Sequence, residues 1–341
     1  MKRIAIIRMS SLGDIIHTLP AFQLLRRHFP EARITWIVEA PGAALLENFS
    51  GIDDIVVFDL KSQRGWIAKT FYLIRFVRHW RQRFDLLVDF QGLIKSALLA
   101  FFLGKPRLGF GSSNARESMA ALFYSRRAGF FPEDRHVIFK NMHLLTGLGI
   151  HENGVAYPLK KTAPSLQLQQ LLARLNWPEQ RYVILNIGGG WPTKVLSAAQ
   201  WLEIAAGLKS DYPLVLLWGN DRERKMAAEV ARQSGVVLAH FMNFSDLIHF
   251  ISLARLVISG DTLALHLADA TQTPAVGIFG PTSPQRNGPL LAQSRAIVQQ
   301  QPCSFCYRRK CDTMLCLEHI AIQDIIAAVR KMDESIDGKT D

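Results

Sequence analysis

The stretch Ile4-Ala5-Ile6-Ile7, running into Arg8-Met9-Ser10-Ser11-Leu12-Gly13-Asp14, decides the fold class. An unbroken apolar, mostly β-branched run reads as a strand buried on both faces. The hydroxyls, glycine and carboxylate that follow read as a turn opening a helix. Ile15, Leu19, Phe22 and Leu25 continue it at helical spacing. The theme recurs. Ile34–Val38, Ile55–Phe58 and Leu86–Val88 are predicted strands, and Gly92–Leu103 and His136–Leu148 predicted helices. A polar linker and a short Leu/Gln helix occupy Pro158–Pro178, and then the pattern restarts. Strands are predicted at Tyr182–Ile187, Leu214–Trp218, Val236–Ala239, Leu256–Ser259 and Ala275–Phe279. Helices are predicted from the Ser197 cap through Leu208, over Asp221–Gln233, and near Ile320–Met332. Alternation of this kind predicts an α/β protein of two Rossmann-like, doubly wound domains facing a cleft, with ligands at the strand C-termini. The expected boundaries are 1–160, 161–320, and a helix with a polar tail over 321–341.

The 341 residues suffice for two domains, and 49% hydrophobic with 20% charged residues is ordinary for a folded chain. No apolar run reaches the ~18 residues of a membrane span; Arg75 and Arg78 interrupt the longest candidate, around Phe71–Val77. A cytosolic chain without a leader is expected. The net charge is +11, and it is lopsided: residues 1–160 carry 22 basic and 13 acidic side chains. The first half therefore faces something acidic: nucleic acid, an anionic membrane surface or a phosphorylated substrate.

Three strand-end turns carry chemistry. Asp14 is either an N-cap or a general base for a substrate hydroxyl. Gly188-Gly189-Gly190-Trp191-Pro192-Thr193-Lys194 lets backbone wrap an anion, with Lys194 either a phosphate contact or a solvated lysine. In Ser259-Gly260-Asp261-Thr262-Leu263-Ala264-Leu265-His266, Asp261 and Thr262 can bond the helix amides, and the remaining amides can hold phosphate. His266 lies one turn beyond Thr262, as a site residue or a core one. The glycine loop is not a Walker A, and neither βα turn holds a GxGxxG. A nicotinamide oxidoreductase is thereby disfavoured, and no helix-turn-helix or RNA-binding motif supports a nucleic-acid partner.

With Phe279-Gly280-Pro281-Thr282, these motifs occur in an order that resembles the lipopolysaccharide heptosyltransferases, glycosyltransferases of the GT-B type. The resemblance covers nearly the whole chain. It implies metal-independent, inverting transfer of heptose from ADP-heptose to the inner core, by an enzyme peripheral to the cytoplasmic face of the inner membrane. Its implied partners are the nucleotide-sugar donor, a lipid-linked acidic oligosaccharide and the anionic leaflet. A transferase of another nucleotide-sugar, or an epimerase or oxidoreductase on paired Rossmann domains, is the alternative. Residue by residue, Asp14 corresponds to the base and Lys194 to the phosphate ligand that stabilises leaving ADP. Asp261 corresponds to the sugar-contacting carboxylate, with Thr262 and His266 beside the phosphates, and Glu223 to the ribose ligand. Gly189, Gly190, Thr193, Leu263 and Ala264 complete the expected donor side. Leu263 stands where the family usually has Gly, and Val195-Leu196 where Arg-Trp is common.

The expected acceptor side is Ser10, Ser11, Gly13, Lys61, Arg64, Arg116, Arg126 and Arg127. Cys303, Cys306, Cys311 and Cys316 are spaced for a structural zinc, local disulfides or free thiols. Trp66–Phe84 has an apolar face ringed by Lys69, Arg75, Arg78, Arg81 and Arg83, which suits a membrane-surface helix or an ordinary sheet-covering one.

Overall fold

A computed structural model describes residues 1–152, 154–175 and 182–337. The end of the expected linker helix, at 176–178, and the last tail residues fall outside the described residues. The chain divides into two compact units, Met1–Lys160 and Lys161–Asp341.

In the first unit, β1 (Arg3–Ile7), β2 (Arg33–Val38), β3 (Asp54–Val57), β4 (Leu86–Asp89), β5 (Arg107–Gly109) and β6 (Arg126–Arg127) form one sheet in the order 3-2-1-4-5-6. Every neighbouring pair is parallel. All four residues of β4, and all but the first of β1 and of β2, are buried, as a sheet covered on both faces requires. In the second unit, β7 (Val183–Asn186), β8 (Leu214–Leu217), β9 (Val237–Leu238), β10 (Leu256–Gly260), β11 (Ala275–Phe279) and β12 (Arg295–Val298) repeat that order from the other edge, 12-11-10-7-8-9. Both units are thus doubly wound sheets, and each has a switch point: between β1 and β4, and between β7 and β10. β5, β6 and β12 are short or flanked by arginine and carry no apolar run to announce them.

The expected first helix is two helices, Leu12–Ile16 and Leu19–His28. Pro20 lies in the first turn of the second, where its missing N–H is harmless; inside one continuous helix its ring would strike the carbonyl four residues back. The C-terminal helix Ile322–Asp337 belongs to the second unit's core, through Ile325, Ile326, Val329 and Met332. A Cβ on Gly207 would stand 2.3 Å from Ile326 Cδ1, so a larger residue would have to push the Ile326 side chain aside.

The turn after β4 is fixed from beneath. Asp89 is fully buried; it accepts hydrogen bonds from the Tyr124 hydroxyl (2.7 Å) and the Gln91 amide (2.8 Å). Burial pushes its carboxyl up, against these bonds. Tyr124→Phe leaves the Asp89 oxygen unsatisfied, so it should cost about 1–3 kcal/mol in urea unfolding. An unchanged midpoint would show that the hydroxyl contributes nothing.

Candidate active site

At the first switch point the loops after β1 and β4 are bonded together. Gln91 Oε1 accepts from the amides of Met9 (2.9 Å) and Ser10 (3.2 Å), and the Arg8 guanidinium donates to the Phe90 carbonyl. Ser11, not Asp14, is the N-cap of the Leu12–Ile16 helix. Asp14 sits at the third helical position, where Oδ2 accepts from the Ser11 amide (3.2 Å) and hydroxyl (2.9 Å). Its other oxygen pairs with Arg8 Nη2 at 2.7 Å. The Arg8 side chain is 8% exposed and that of Asp14 23%, so a buried cation presents a partly open carboxylate.

At the second switch point the polarity is reversed. The Asp261 carboxylate is 3% exposed and meets Lys194 Nζ at 2.7 Å, His266 Nε2 at 3.1 Å and Asn287 Nδ2 at 3.2 Å. Burial works against its ionisation, but bonding and charge from His266 and Lys194 prevail and hold the carboxyl well below the usual range. Lys194 Nζ also donates to the Asp261 carbonyl at 3.2 Å. A Cβ on Gly260 would stand 2.8 Å from the Lys194 carbonyl oxygen, so only glycine lets these strand ends approach.

Asp261 does not cap its helix as expected, because its carboxylate is taken by Lys194, His266 and Asn287. Thr262 holds the N-cap position of Leu263–Ala270 without a side-chain cap bond. Its hydroxyl instead joins Asn186 (3.0 Å) and Ser259 (2.8 Å). The first turn of the helix therefore has no side-chain cap.

Glu223 bridges two turns: Oε1 accepts from the Gly189 amide at 3.1 Å and Oε2 from the Gly219 amide at 2.7 Å. Gly190 faces open space. Lys194 Nζ and Arg309 Cζ lie 4.3 and 4.8 Å from the Trp191 ring centroid. Leu263 and Ala264 open the Leu263–Ala270 helix beside this cluster.

The basic residues expected on the acceptor side do not all come together. Lys61, paired with Glu39, and Arg64 follow β3 at one sheet edge. Arg126 and Arg127 are β6 at the other, about 24 Å away across five strand spacings. Arg116 lies by the first switch point, its amide nitrogen 3.2 Å from where a Gly92 Cβ would be.

Of the three readings of the cysteines, free thiols is the one the structure carries. Among the described residues no three His, Cys, Asp or Glu side chains group to hold a metal, and all four thiols are free. The Cys311 sulfur accepts from the Met314 amide (3.4 Å), whereas Cys316 packs beside Gly280. The segment is instead a strap. The Phe305 and Tyr307 amides donate to the carbonyls of Gly280 and Pro281, and the Arg308 carbonyl accepts from Thr193 at 2.8 Å. Arg8, Gln91, Asn186, Asn287 and Arg309 escaped the sequence reading. Arg8 and Asn186 had one signal, a polar residue at the end of a buried strand.

Residues 73–316 match the model of glycosyltransferase family 9 (heptosyltransferase). Lipopolysaccharide heptosyltransferase 1 of Pseudomonas aeruginosa PAO1 is 28% identical over 318 residues, 91% of this chain and 87% of that protein. The structure of E. coli heptosyltransferase WaaC with ADP superposes with a TM-score of 0.76 at 22% identity, covering 97% of this chain and 99% of that one. E. coli heptosyltransferase II gives 0.75 at 18% identity, covering 99% and 100%.

One titration in this unit is measurable. Burial pushes Asp269 up to about 6, against the Leu290 amide, the charge of His266 and the Leu291 amide. The folded chain thus holds this proton more tightly than the unfolded one. The stability it contributes is full below about pH 4 and is lost as pH rises through about 6, by about 3 kcal/mol. Asp269→Asn removes that dependence. In urea unfolding, the native protein should weaken relative to the variant by this amount between acid and neutral pH; a constant difference would refute it.

Proposed function

The chain belongs to glycosyltransferase family 9, the heptosyltransferases, and on that premise we propose that it transfers heptose from ADP-heptose to the inner core of lipopolysaccharide, with inversion and without a catalytic metal. The observation that carries the reading is the Lys194–Asp261–His266 cluster beside the uncapped Leu263–Ala270 helix. A lysine that is 13% exposed, held by one carboxylate, and a row of open amides suit a diphosphate.

In the proposed reaction the Asp14 carboxylate takes the proton of the acceptor hydroxyl as that oxygen attacks the anomeric carbon. The carbon–oxygen bond to ADP breaks, and the charge left on the diphosphate meets Lys194 and the helix amides. Ser10, Ser11, Gly13 and Arg116 lie nearest the acceptor in this reading, and Glu223 holds the donor ribose. In this reading the acidic, lipid-linked acceptor calls for work at an anionic membrane surface, on its cytoplasmic side. A transfer assay with purified protein, ADP-heptose and defined core acceptors, read by mass spectrometry, tests it; an acceptor that gains no heptose mass overturns it.

Asp14→Asn keeps the shape of the capping interaction and removes the base. Turnover should fall at least ~100-fold while ADP affinity is unchanged. Near-normal turnover with an earlier melt would reduce Asp14 to a structural partner of Arg8. Lys194→Ala should lower kcat by roughly 10²–10³ and weaken ADP binding in calorimetry. Unaltered ADP binding would take the lysine out of the donor site.

A further inference from the structure

The helix Gly65–Trp80 is apolar on two faces. Phe76 is buried, and Tyr72, Leu73, Val77 and Trp80 pack with it on the core of the first unit. On the opposite side stand Ile67, Phe71 and Ile74, at helical spacing, and Trp66 stands exposed in the first turn. Trp66 is 77% and Phe71 68% exposed, and the two isoleucines are half exposed or more. Here the outer face meets only water, and a contiguous patch of this kind marks an interaction site. On the adjoining helix Ile94–Leu103, Phe101 and Phe102 are also about half exposed.

The charge says what covers this face. Residues 60–84 contain seven lysines and arginines and no aspartate or glutamate. Arg75, Arg78 and Arg81 are exposed and have no ion-pair partner among the described residues. A second copy of the chain would set these cations against one another. A nucleic acid would match the charge and stack on the two aromatic rings, but it has nothing for the isoleucines between. An anionic bilayer matches both: acyl chains for the apolar residues, headgroup phosphates for the arginines. At sixteen residues the helix is about 24 Å long, and among the described residues no helix is long and apolar enough to cross a membrane. It suits lying in the plane of the interface.

We infer that the outer face of Gly65–Trp80, with Trp66, Ile67, Phe71 and Ile74 as its anchors and Arg75 and Arg78 as its cations, docks the protein on an anionic lipid surface. The inference deepens the proposed function by naming the face that meets the membrane, and its test uses no sugar substrate, so it can fail while the transfer reading stands. Full-length protein is mixed with vesicles of phosphatidylcholine alone or of phosphatidylcholine with phosphatidylglycerol, and bound protein is separated by flotation. The protein should float with the anionic vesicles and stay behind with the neutral ones. Raising salt from about 0.1 to 1 M should weaken the binding. The Arg75→Glu, Arg78→Glu variant should bind at least about 25-fold more weakly, and the Phe71→Ser, Ile74→Ser variant about tenfold or more. All four side chains are exposed or nearly so, and matching melting curves confirm that the variants fold. Equal binding to both vesicle types, or variants that bind like the native chain, would overturn the inference. So would a native dimer that the Phe71→Ser, Ile74→Ser variant dissociates, because the face would then belong to a second copy.

Discussion

A carboxylate with almost no access to water, Asp261, organises the second unit's rim. Alone, such a charge would be expensive to bury. Its three partners come from three different segments: Lys194 from the loop after β7, His266 from the helix after β10, and Asn287 from the short helix after β11. Each segment must hold its place to keep the charge compensated. The ion pair is weak evidence for net stability, since desolvation consumes much of the attraction. What it supplies is position: a lysine fixed before any ligand arrives, in surroundings where its charge is poorly screened.

The first unit solves the mirror-image problem on the same topology. There the buried member is the cation, Arg8, and the partly open member is the carboxylate, Asp14. In both units a charge sunk at the switch point orients an opposite charge nearer the surface. The sheets share one strand order, and the sign of the presented group alone differs. A carboxylate suits a proton acceptor and an ammonium suits a diphosphate, which is the division of labour the proposed reaction uses.

Much of this was legible because buried parallel strands leave unmistakable apolar runs and because their ends are where chemistry gathers. The residues at both switch points stood out for that reason. What stayed hidden depended on tertiary partners. Nothing local marks Asn287 as a ligand of Asp261, twenty-six residues away, or Gln91 as the clamp on Ser10. β6 consists of two exposed arginines and follows no strand pattern; it forms because β5 offers it a backbone edge. The Asp14 cap was misjudged because the helix begins one residue after Ser11, and a capping box and a single cap differ only in that starting point. The cysteine spacing left three readings open, and the segment's backbone, rather than its sulfur, ties down the neighbouring loops.

That strap also sets the charge of the second unit's rim. Leu196 is buried in the core of the second unit, so the residues after Lys194 add no charge to the rim. The strap supplies it instead. Arg309 lies on the Trp191 ring that Lys194 also touches, and Arg309 has no ion-pair partner among the described residues. Two cations on one indole repel each other, and of the two only the lysine is paired with Asp261. The ring's negative face offsets part of that repulsion. The remainder is positive potential beside open helix amides and a glycine that faces open space, and a bound dianion would relieve it.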